Sequence, residues 1–170
     1  MELDWTPERD ANSDAIHNDY CMACGRIMDI ANFIEMLLGQ FIFIHIGGLT
    51  VDEIEQFSFE EKKDTLIEFK ANKGLDKFKP YPKLIDDLNK IQYVRNAFGH
   101  GVLWTSKEVL DNYNGDYFEL IKYKADKGHE KFRINMKLEQ ENHDKKIFYI
   151  DKLIFRGNRI KRWIAQFLRE

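Results

Sequence analysis

Ile91-Gln92-Tyr93-Val94-Arg95-Asn96-Ala97-Phe98-Gly99-His100-Gly101 sets a guanidinium inside an apolar pattern and follows it with a histidine between two glycines. At about 100° per residue, Arg95 falls near the middle of the stripe formed by Leu84, Leu88, Ile91 and Phe98, not on the solvent side. A guanidinium cannot shed its proton. On an apolar face it needs an acidic partner, a dimer interface or a cleft that admits an anion. The helix is expected to stop at Gly99 or Gly101, and Gly99 would let the chain leave it there so that His100 can turn back toward Arg95.

Working outward, residues 13–44 repeat apolar side chains at intervals of three and four, from Ile16 and Tyr20 to Leu38 and Phe41, which predicts one long first helix. Gly47-Gly48 ends it. Thr50 with Glu53, and Ser58 with Glu61, read as successive capping boxes that open shorter helices. Beyond the helix of residues 84–100, residues 117–123 and 131–138 alternate apolar and polar around Asp126-Lys127-Gly128, which predicts a β-hairpin. Asp151 can cap a last helix carrying Leu153, Ile154, Ile160, Ile164, Phe167 and Leu168 on its apolar side. The expectation is a mainly α, up-down bundle of about four helices forming a single domain, 1–170. It has a helical part at 13–100, a β-hairpin insertion at about 103–148 and a C-terminal helix at 151–169.

Composition agrees with a folded domain: 170 residues, 44% hydrophobic and 14% aromatic, are enough for one core. The opening residues lack a basic region followed by an apolar run, and the apolar run at 41–48 is short and interrupted by His45, so a cytoplasmic protein that does not span a membrane is expected. Cys21 and Cys24 are one helical turn apart, where a bridge would close almost no loop. The net charge of −3 hides a gradient: Glu2, Asp4, Glu8, Asp10, Asp14 and Asp19 make the beginning acidic. From Lys145 onward basic side chains dominate, among them Arg159, Arg162 and Arg169, where a polyanion could dock.

A fixed cation beside a histidine suits phosphodiester chemistry on RNA, where the ribose 2′-OH already supplies the nucleophile and no metal or cofactor is required. In that reading His100 is general base or acid, Arg95 stabilises charge on the phosphorane oxygens, and Asn96 orients the phosphate or the imidazole. Glu35 and Asp19 are supporting candidates that could orient His100 or pair with Arg95. His17, Cys21 and Cys24 share one side of the first helix but lack a convincing fourth ligand, so no metal site is assigned.

Arg95-Asn96-Ala97-Phe98-Gly99-His100-Gly101 resembles the signature of the HEPN superfamily, an Arg, a polar residue and a His near a helix end. The resemblance is specific over those seven residues and extends loosely to a long first helix in a small bundle. It implies a HEPN-like fold and a metal-independent endoribonuclease of toxin or antiviral-defence type, leaving 2′,3′-cyclic phosphate ends. It also implies a homodimer with a composite active site and an antitoxin or other regulatory partner. The alternative is a catalytically silent helical dimer that binds nucleotide, RNA or a partner protein.

Overall fold

The computed structural model describes residues 5–125 and 128–169. Its helices are α1 (Pro7–Phe41, continued by a π turn at Ile42–Ile46), α2 (Val51–Gln56), α3 (Phe59–Ala71), α4 (Leu84–His100), α5 (Lys107–Asn112) and α6 (Ile150–Ala165). Its strands are β1 (Gly101–Trp104), β2 (Tyr117–Lys124), β3 (Gly128–Asn135) and β4 (Ile147–Tyr149), in the order β1-β2-β3-β4.

This corrects the expected bundle of about four helices with one inserted hairpin. The hairpin strands β2 and β3 do pair antiparallel, with Leu120 opposite Phe132, but they are the middle of a four-stranded mixed sheet. β1 adds antiparallel on one side and β4 adds parallel on the other. The expected turn residues Asp126 and Lys127 lie outside the described residues. Among the described residues there are six α-helices, and no HEPN-like four-helix bundle accounts for them. The outer strands escaped notice because three or four residues carry too little alternation to be read.

Helix ends follow local chemistry. Pro7 opens α1 at the position where its missing N–H costs nothing, six residues before the expected start. Thr50 accepts from Glu53 N while Glu53 Oε2 accepts from Thr50 N at 2.7 Å, and Ser58 and Glu61 repeat the exchange. By length and composition the stretch Pro7–Ile46 could cross a bilayer; half of its most apolar part is buried, as in a core helix.

The chain divides into two compact units whose boundaries fall inside α1, α4 and α6. One comprises Met1–Arg26 and Arg95–Leu153. In it the sheet turns Phe118, Leu120, Phe132, Ile134 and Phe148 inward, all at most 1% exposed. There the Phe118 ring meets Tyr20 of α1 and Phe98 of α4 at centroid separations of 6.0 and 6.1 Å. The other unit comprises Ile27–Val94 and Ile154–Glu170. Its core joins Phe41, Phe78 and Trp163, and α6 comes close to α1 where Gly157 faces Ile30.

Candidate functional site

Of the two stops expected for α4, Gly99 and Gly101, the helix takes the second. It runs through His100 and passes straight into β1 at Gly101. A Cβ at Gly101 would stand 2.3 Å from the carbonyl oxygen of Ala97, so only glycine permits this handover from helix to strand without a loop. His100 therefore sits exposed on the last helical turn and does not fold back toward Arg95. Five residues of helix turn roughly 140°, so the two side chains leave the axis on different sides, with Cα atoms about 8–9 Å apart by helix geometry. Asn96, four residues before His100, shares its face. Arg95 is half-buried and engaged within the protein.

The two supporting acids each have a partner of their own. Asp19 accepts a hydrogen bond from the Tyr113 hydroxyl, and burial, reinforced by that carboxylate, pushes the Tyr113 phenol well above its ordinary range. Glu35 faces Lys62, with Nζ to Oε1 at 3.5 Å, and belongs to the unit that does not contain Arg95 and His100.

The three arginines of the expected basic ridge differ in their surroundings. Arg159 Nη2 donates to Asp87 Oδ2 at 2.6 Å and Nε donates to the same oxygen at 2.9 Å, while the guanidinium lies 4.8 Å from the Tyr81 ring centre. The hydrogen bonds from Arg159 to Asp87 hold that guanidinium even more firmly protonated than usual. Arg162 is exposed beside Phe155, Asn158 and Lys161, and Arg169 lies beyond the end of α6.

His17 Nε2 stands 3.5 Å from Cys21 Sγ, and burial raises the Cys24 thiol, which works against a thiolate nucleophile there. No group of three or more His, Cys, Asp and Glu side chains gathers into a metal-binding cluster among the described residues.

Searches of family models, curated proteins and solved structures find no match to this chain. The chemistry must be read from its own surface.

One further feature was missed by sequence reasoning. A cavity of about 590 Å³ opens between α5 and the outer face of β1–β3. Trp104 and Tyr117 line it, with Glu119 and Lys131 on the sheet and Asn112, Tyr113 and Asp116 beyond. Ser106 caps α5 by accepting from Val109 N at 3.2 Å, but without a Glu three residues on there was no capping box to announce it. The available signal was the alternation of Val102 and Trp104 after Gly101.

Proposed function

We propose that the protein is a metal-independent endoribonuclease whose reacting groups are His100, Asn96 and Arg95. The observation that carries this reading is the Gly101 handover. It leaves an imidazole exposed on the terminal turn of α4, with a carboxamide one turn below on the same face and a cation on the adjoining side. RNA supplies the rest, because the 2′-OH is an internal nucleophile.

His100 takes the 2′-OH proton as the 2′-oxygen attacks phosphorus, and Asn96 donates to a phosphoryl oxygen. The bond from phosphorus to the 5′-oxygen breaks, and that oxygen leaves with a proton from water or from His100 of a second copy. The products are a 2′,3′-cyclic phosphate and a 5′-OH. Because Arg95 and His100 diverge within one chain, a two-fold pair of chains is the arrangement that brings Arg95 of one copy to His100 of the other. The resemblance of residues 95–101 to the HEPN motif supports the same chemistry.

The test is cleavage of end-labelled RNA in EDTA by wild type, Arg95→Ala and His100→Ala, with chain mass followed by light scattering. Cleavage by wild type alone, leaving cyclic-phosphate ends, is expected. Ends carrying 3′-OH, or equal cleavage by His100→Ala, would overturn the proposal.

A further inference from the structure

The outer face of the sheet is chemically unlike the inner one. The pairing register aligns Trp104, Glu119 and Arg133 in one row and Tyr117 with Asn135 in the next. Arg133 lies over the Tyr117 ring at 4.1 Å and fixes it, whereas Trp104 is 42% exposed. Both aromatic residues line the 590 Å³ cavity, whose size is within the roughly 300–1,000 Å³ usual for small-ligand sites.

Glu119 is only 9% exposed, and its Oε2 faces Lys131 Nζ at 3.4 Å. A carboxylate and an ammonium are thus held side by side on the cavity wall. The turn that closes the far side is locked: Asn114 Oδ1 accepts from Asp116 N at 3.0 Å, and Asn114 Nδ2 donates to Asp116 Oδ2 at 3.0 Å.

We infer that this cavity takes a guanine base of single-stranded RNA, stacked on Trp104 and read by Glu119 and Lys131. This rests on the nuclease reading above and names its substrate preference. Guanine presents two adjacent N–H donors beside a carbonyl acceptor on one edge. Glu119 accepts from the former and Lys131 donates to the latter. Adenine, with a single amino donor beside a bare ring nitrogen, leaves one Glu119 oxygen unmatched. The lining acids Glu108, Asp116 and Glu119 repel a phosphate, so the base enters and the backbone stays at the rim, where Lys131 is open to solvent. Trp104 is roughly 13 Å along β1 from His100, so one bound base fixes the register of a neighbouring phosphodiester.

The experiment is an NMR titration of the full chain with 5′-GMP, 5′-AMP, 5′-CMP and 5′-UMP, beside the RNA cleavage assay. Saturable binding of GMP at least about tenfold tighter than of the other three is expected. Trp104→Ala, which removes an exposed side chain, should weaken it about tenfold, the loss of one base–aromatic stack. Glu119→Gln should erase the preference over AMP. Absence of saturation at millimolar GMP, equal binding of all four, or GMP binding unchanged in Trp104→Ala would overturn the inference. Cleavage without GMP selectivity would defeat this inference alone, and GMP selectivity without cleavage would defeat the nuclease alone.

Discussion

Arg159 closes on Asp87, placing Nη2 2.6 Å from an oxygen of a carboxylate that is 1% exposed. The Tyr81 hydroxyl donates to the same carboxylate oxygen at 3.0 Å, and Arg156 Nε lies 3.9 Å from the other oxygen. Removing one partner of a buried pair leaves an uncompensated charge, which outweighs what the pair adds when intact. Arg159→Ala should therefore cost about 2–3 kcal/mol, the nearby Arg156 softening the loss. The urea midpoint of unfolding measures it, and an unchanged midpoint would mean that the pair is dispensable.

Gly157 stands where a side chain cannot. An alanine Cβ would approach Ile30 Cδ1 to 2.4 Å and Cγ1 to 2.7 Å. Helix propensity favours alanine by about 1 kcal/mol, but overpacking costs about 1–3 kcal/mol. Gly157→Ala should lower Tm, and adding Ile30→Val, which deletes the clashing Cδ1 but keeps Cγ1, should restore part of it. Failure of the second change to rescue would place the strain elsewhere.

Cleavage should fall by about 10²–10⁴ in His100→Ala if the imidazole moves protons. Gly101→Ala provides a separate check, because its Cβ would meet a backbone oxygen that has nowhere to go. It should destabilise by about 1–3 kcal/mol and reduce cleavage per folded molecule as well. Unaltered kinetics in folded Gly101→Ala would show that the handover does not position His100.

Acid sensitivity should trace to the capping boxes. Hydrogen bonds from the backbone and hydroxyl of Thr50 hold the Glu53 carboxyl below its usual 4.5, and Ser58 does the same for Glu61. A carboxyl lowered by folding stabilises above its unfolded value and loses that contribution as pH falls through the folded one. Between neutrality and pH 4.5 the contribution is intact; below it, Tm should drop. The Glu53→Gln, Glu61→Gln double variant should show a shallower fall there, and parallel curves would assign the acid limb to other groups.

The long helices were legible because a three-to-four periodicity persists over many turns, and both capping boxes could be read from four residues each. β1, α5 and β4 were not, since elements of three to six residues are fixed by their neighbours more than by their own pattern. The wheel that puts Arg95 on an apolar stripe also puts Asp87 at that stripe's edge, beside Phe98, and the partner of Asp87, Arg159, lies 72 residues away. Periodicity shows that a charge is buried without naming what answers it. Gly99 and Gly101 were both legible as possible helix stops, and the close approach of Gly101 to the Ala97 carbonyl, with β1 pairing to β2, selects the second.

The sheet ends in a four-residue strand on one side and a three-residue strand on the other, the latter flowing directly into α6. β4 pairs with Arg133–Asn135 alone, so Gly128–Phe132 of β3 keep an edge that no described strand covers. The charged side chains of Glu130 and Lys131 on that stretch discourage another chain from adding there. A guard of this kind is itself a matter of sequence, so replacing those two charges by apolar residues would turn the edge into a place where chains aggregate.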